Sequence, residues 1–91
     1  FFDNVPRMLP ENVRAIIKKD SYPVPALFDL IQKNGNIEEH MMYNTFNMGL
    51  GMVIAVNPKD VDATMKAIEE AGDKCYVVGN IVEGDKGVDL C

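Results

Sequence analysis

Two short segments carry residue types that could bind a ligand, and the first is Asp3–Arg7. Asn4, a rigid proline and Arg7 lie close together in this segment. The guanidinium of Arg7 presents a planar fork of donors that suits phosphate or carboxylate, and the amide of Asn4 offers both a donor and an acceptor. These residues indicate an anion-binding edge. On spacing alone, however, a turn that exposes Arg7 is the simpler interpretation.

The second segment is Thr45–Met52, in which Asn47 is followed by Gly49 and Gly51. Glycines two positions apart allow the backbone to come close to a ligand or to another part of the chain. The segment is not a dinucleotide-binding loop, because a third glycine is absent and the glycines precede a strand-like run instead of following one. Tight packing at a helix-to-strand junction explains the spacing as well as ligand contact does.

The other reactive residue types form no pattern that would hold a metal or activate a nucleophile. His40 lies in an acidic stretch, and its spacing to other candidate ligands supports no metal site. Cys75 and Cys91 form no C-x-x-C pair and are expected to be free thiols. No nucleophile can be matched with a base. We therefore expect no metal site, and no catalytic residue is assigned.

Local patterns in the first half of the chain predict the elements that must position these segments. Alternating apolar residues predict a strand over residues 12–18. A helix is predicted over residues 25–35, because proline favours a first helical position and glycine follows many helix ends. Asn36, with Glu39 three positions later, resembles a capping box that would begin a second helix.

The second half predicts further strands around one clear helix. The apolar run 50–56 is typical of a strand covered on both faces. Asn57 is the predicted cap of an amphipathic helix. A strand over residues 75–83 with a bulge at Gly79 follows, and a turn then leads into a return strand over residues 88–91.

The order of these elements predicts an α+β fold of ferredoxin-like type, with helices packed on a mixed or antiparallel sheet. The 91 residues carry a net charge of −5 with their basic residues scattered, which argues against a nucleic-acid partner. No run approaches the roughly 18 apolar residues that span a bilayer, so no membrane partner is expected.

Both candidate segments resemble one enzyme family, the phosphoribosylformylglycinamidine cyclo-ligases, also called aminoimidazole ribonucleotide synthetases. Asp3–Pro10 resembles a family stretch of the form E/D-N-I/V-P-R-x-L-P, and Met42–Met52 resembles M-Y-R-T-F-N-x-G-x-G-M. Tyr22–Pro25, Gly35–Glu38 and Tyr76–Gly84 follow the family in order and spacing. The resemblance covers essentially the whole chain.

The chain departs from the family in two ways. Asn44 stands where the family usually has arginine. The glycine-rich loop that the family carries should lie just before Phe1, and the N-terminal ATP-binding domain is absent from this chain. The resemblance therefore implies that residues 1–91 are the C-terminal portion of a single larger α/β domain.

The resemblance implies an ATP-dependent ligase that cyclises formylglycinamidine ribonucleotide to aminoimidazole ribonucleotide in purine synthesis, releasing ADP and phosphate. It further implies a cytoplasmic homodimer whose ATP and Mg²⁺ are bound mainly by the absent domain, so the chain alone should be inactive and should bind no cofactor. Asn4 and Arg7 would help to hold a phosphate of the substrate. The adjacent wall would be formed by Thr45, Asn47, Gly49 and Gly51.

A different class of function stays open. The chain would then be a free-standing ferredoxin-like module that binds a small ligand or mediates dimerisation without catalysis.

Overall fold

A central strand, β1 (Val13–Ile17), organises the sheet in a computed structural model that describes residues 1–91. The sheet has three strands in the order β2-β1-β3, where β2 is Gly79–Glu83 and β3 is Gly87–Leu90. β1 runs antiparallel to β2 and parallel to β3. The strand predicted over residues 12–18 and the mixed sheet are confirmed, and with its helices the chain is α+β as expected.

The last strand pairs differently from the predicted return hairpin. The turn after β2 crosses the start of β1, where the Gly84 amide donates to the Asn12 carbonyl at 3.1 Å, and β3 then lies beside β1 instead of β2. Arg14 of β1 holds this crossing by donating to the Asp89 carboxylate at 2.7 Å and to the Val88 carbonyl at 3.3 Å. The Arg14 hydrogen bond also lowers the pKa of Asp89.

The bulge predicted at Gly79 is wrong. The pairing of β1 with β2 runs without interruption from Val13 opposite Glu83 to Ile17 opposite Gly79. A Cβ atom at position 79 would lie 1.8 Å from the Ile16 carbonyl oxygen. Glycine is required there because the two backbones approach too closely for a side chain.

Three α-helices connect the strands: α1 (Ala26–Gly35), α2 (Glu39–Thr45) and α3 (Val61–Glu70). The helix predicted over residues 25–35 is confirmed. The capping box is wrong, since Asn36 adopts a left-handed φ of 50° and closes α1, while Glu38 precedes α2 without a side-chain cap. Asparagine is one of the few residues that tolerate this conformation after a helix.

The predicted cap at Asn57 is confirmed. Its side-chain oxygen accepts a hydrogen bond from the Lys59 amide at 3.2 Å. A short 3₁₀ turn, Pro58–Asp60, then leads into α3. None of the three helices is long and apolar enough to cross a membrane.

The core is one cluster of ten buried side chains, and no residue between positions 49 and 87 belongs to it. The cluster consists of Phe1, Val5, Leu9, Ala15, Ile17, Tyr22, Met42, Tyr43, Met48 and Val88. After Met48, the chain therefore contributes only Val88 of β3 to this cluster.

The strand predicted over residues 50–56 is wrong. This run forms no strand. Leu50 and Val53 pack against the core, while Met52 and Ile54 face outward, 79% and 53% exposed. An extended segment becomes a strand only when a neighbour pairs with its backbone. The 91 residues supply no such neighbour here.

An open apolar cleft of about 1030 Å³ separates this run from the third helix and the approach to β2. We call it the apolar cleft. The side chains that were predicted to form the apolar stripe of α3 line it, together with Ile54 and Val77. Val61, Met65 and Ile68 form that stripe, and each remains partly exposed.

We expect the isolated chain to associate and to have low stability, because so large an apolar surface favours self-contact. Sedimentation velocity over a range of concentrations measures this. Ile54→Lys should reduce association, since a charge in the apolar cleft must be desolvated when copies meet.

Leu27→Lys is the matched control, because Leu27 is similarly exposed (59%) but lies on α1, outside the apolar cleft. A wild-type chain that stays monomeric and melts cooperatively would contradict this expectation.

Candidate functional site

A second cleft joins the two segments that were singled out from the sequence. It has a volume of about 510 Å³ and lies between a 3₁₀ turn, Val5–Met8, and residues 44–53. Its polar lining consists of three asparagine amides and one hydroxyl, from Asn4, Asn44, Asn47 and Thr45. We call it the amide cleft.

The first segment is held against α2 by aromatic packing. The ring of Phe1 stacks on that of Tyr43 with centroids 5.3 Å apart, and the Phe1 backbone nitrogen donates to the Tyr43 carbonyl at 2.7 Å. Val5 and Leu9 are buried in the same core. Because α2 leads directly into the second segment, this packing brings the two segments together.

The amide cleft contains four of the six predicted site residues, namely Asn4, Thr45, Asn47 and Gly51. Arg7 and Gly49 are not among its lining residues. Arg7 is exposed and lies three residues after Asn4, a spacing that places side chains on one side of a 3₁₀ turn. The ion pairs of the chain use Arg14, Lys19, Lys33 and Lys86, and Arg7 therefore has no carboxylate partner.

Asn47 shapes the wall of the amide cleft through a local turn. Its side-chain oxygen accepts a hydrogen bond from the Gly49 amide at 2.8 Å, and the next two residues have positive φ angles, 53° at Met48 and 101° at Gly49. Such side-chain-to-backbone bonds stabilise turns of this kind. The NH₂ group of Asn47 makes no hydrogen bond within the chain, so it is available to a ligand.

The two glycines of the second segment differ in what the fold demands of them. A Cβ atom at Gly49 would lie 2.6 Å from the Pro25 ring, and the φ of 101° also requires glycine. At Gly51 a Cβ atom would meet nothing within 4 Å, and no positive φ requires glycine there. Packing within the chain explains why position 49 is a glycine. At position 51 the glycine leaves open space in the wall of the amide cleft.

Tyr22 supports this wall, and reasoning from residue types alone did not single it out. Its hydroxyl donates to the Met48 carbonyl at 3.1 Å. Burial, with a smaller contribution from Tyr43, raises the pKa of Tyr22 to about 12. The hydroxyl therefore keeps its proton, and its hydrogen bond, at any physiological pH.

The residues of this chain do not fit a bound Mg²⁺–nucleotide. No three side chains of His, Cys, Asp or Glu are arranged to hold a metal ion. No lysine, arginine or histidine lines the amide cleft, so its side chains offer no charge-assisted hydrogen bond to a polyphosphate. What the cleft can do chemically is bind and orient a polar group.

Comparison with known proteins defines the class of this chain. It belongs to the family described as AIR synthase related protein, C-terminal domain, which matches residues 1–90. The fold described above is consistent with this family.

Within that family the chain is similar to phosphoribosylformylglycinamidine cyclo-ligases, which confirms the resemblance seen in its motifs. It is 62% identical to the protein of that name from Lachnospira eligens over 100% of this chain and 27% of the relative. It is 59% identical to that of Agathobacter rectalis over 99% of this chain and 26% of the relative. The chain thus spans about a quarter of the length of these relatives.

The two glycines should respond differently to the same substitution. Gly49→Ala should destabilise the protein by about 1–3 kcal/mol, because a side chain there is both strained and in contact with Pro25. Gly51→Ala, the matched control, should leave stability unchanged because its added methyl group meets no atom of the chain. Thermal unfolding of the two variants measures this, and equal midpoints would contradict it.

Proposed function

We propose that this chain is part of an ATP-dependent cyclo-ligase, which converts formylglycinamidine ribonucleotide to aminoimidazole ribonucleotide in purine synthesis with release of ADP and phosphate. The observation that carries the proposal is the amide cleft. It is built from the two segments that resemble the cyclo-ligases most clearly, in a chain that is 62% identical to one of them.

The contribution of this chain is to hold the ribotide. Arg7 has no partner within the chain and is exposed beside Asn4, so its guanidinium is free to bind the phosphate of the substrate. Thr45, Asn47 and Gly51 form the adjacent wall, and Gly49 keeps that wall in shape. Holding a flexible substrate in a folded conformation supplies much of the advantage of an intramolecular ring closure.

The remaining parts of the reaction belong to the polypeptide outside these 91 residues. ATP and Mg²⁺ are held mainly there, as the resemblance to the cyclo-ligases implies. The complete enzyme is a cytoplasmic homodimer, and residues 1–91 are the C-terminal portion of its larger α/β domain. Two observations support this division: the chain spans 27% of a relative, and its apolar cleft lacks a cover.

Arg7→Ala in the full-length enzyme should raise the KM for the ribotide by about tenfold or more, because a charge-assisted contact to phosphate is lost. The KM for ATP should not change. Steady-state kinetics with each substrate varied in turn measures both values.

Lys33→Ala is the control for removal of a surface cation. Lys33 pairs with Asp29 at 3.0 Å on an exposed face of α1, and exposed pairs contribute little. An unchanged KM and kcat in Arg7→Ala would contradict the phosphate-binding role.

The isolated chain should show no turnover, because it lacks residues that could hold ATP. A coupled assay for ADP release compares it with the full-length enzyme at equal concentration. The upstream polypeptide, supplied as a separate chain, should restore activity. Ring closure by the isolated chain would contradict the proposed division of the enzyme.

A further inference from the structure

The amide cleft carries no charged side chain. Its lining combines three asparagines and a threonine with the apolar side chains of Met8, Phe46 and Met52. The backbone nitrogen of Phe1 lies at its edge and already donates to the Tyr43 carbonyl at 2.7 Å.

A phosphate would lose hydration in this cleft without gaining a cation, which is unfavourable. Amide side chains instead offer donors and acceptors together. Thioether and aromatic side chains pack well against the faces of a planar group. The lining therefore suits an uncharged planar group that has both a donor and an acceptor.

Asn44 differs in burial from the other polar residues of this cleft, because Asn4, Thr45 and Asn47 are exposed. It lies at the end of α2 and is half-buried. Its side chain makes no hydrogen bond within the chain, whereas the oxygen of Asn47 is already used by the Gly49 amide. Solvent still reaches the polar atoms of this amide, and because no group of the chain occupies them they are available to a ligand.

We propose that the amide cleft binds the uncharged formamide end of the ribotide, and that Asn44 recognises it by hydrogen bonding. This inference rests on the proposed function, which supplies the substrate. The phosphate stays outside the amide cleft, on Arg7. Gly51 fits the same arrangement, since its missing side chain leaves room beside the bound group.

Asn44→Leu tests the inference by removing the amide while it keeps a side chain that branches at Cγ. The affinity of the full-length enzyme is measured by calorimetry without ATP, for two probes: the ribonucleoside that lacks the phosphate, and inorganic phosphate. Asn44→Leu should weaken nucleoside binding about tenfold and leave phosphate binding unchanged. Arg7→Ala should weaken phosphate binding and leave nucleoside binding unchanged. The unfolding midpoint of both variants should match that of the wild type.

Asn44→Asp distinguishes a neutral formamide group in the cleft from the cationic amidine group of the same nucleoside. A carboxylate keeps the acceptor but loses the donor and adds a charge, so it should weaken binding of a neutral formamide. Stronger binding by Asn44→Asp would overturn the inference, because it would place the cationic amidine in the cleft. Asn34→Leu, at an exposed asparagine of α1, is the control and should leave binding unchanged.

The outcomes separate this inference from the proposed function. An active enzyme whose nucleoside affinity is the same in Asn44→Leu as in the wild type would overturn the inference alone. Nucleoside binding that depends on Asn44 in a full-length protein without ring-closing activity would overturn the proposed function and support the inference. Absence of nucleoside binding in the wild type would overturn the inference.

Discussion

The structure depends on one small core centred on Met42, which is the only fully buried large side chain of the 91 residues. Phe1 and Tyr43 pack in the same cluster and join the start of the chain to α2. Burial of apolar surface is the main favourable term in folding, so the segments that reach this core are the ones held in place. The amide cleft lies between two such segments. The packing that stabilises the first half of the chain therefore also sets the geometry of the amide cleft.

The second half of the chain packs differently from the first half. Its sequence carries the same apolar patterns, but α3 and the run over residues 50–56 leave their apolar sides facing the apolar cleft. These patterns are those of elements that are covered on more sides than the 91 residues allow. A sequence pattern records the environment of the complete protein, whereas packing within a chain can only use the partners present in it. The proposal that this chain is part of a larger domain follows from that mismatch.

The sequence predicts a secondary-structure element correctly where a single residue or a simple repeat determines it. The strand over residues 12–18, the helix that follows Pro25 and the cap at Asn57 were predicted from such signals. Asn36 was not, because asparagine can either begin a helix or end one in the left-handed conformation, and the neighbouring residues do not decide between them. The pairing of β3 with β1 joins residues that lie far apart in sequence, as does the Arg14–Asp89 hydrogen bond across it. The meeting of the two site segments was implied only by the family resemblance, since spacing alone also allowed a surface turn.

Residues of one type can be sorted by whether the fold already uses them. Arg14 closes the crossing beside β3, while Arg7 has no carboxylate partner. Gly49 is required by its φ angle and by Pro25, while nothing within the chain requires Gly51. The oxygen of Asn47 holds a turn, while the Asn44 amide is unpaired. In each pair the residue that the fold does not need lies in the amide cleft or beside Asn4 on the turn that borders it. The positions of these three residues favour a ligand as their partner, with charge recognised outside the cleft and neutral hydrogen bonding recognised within it.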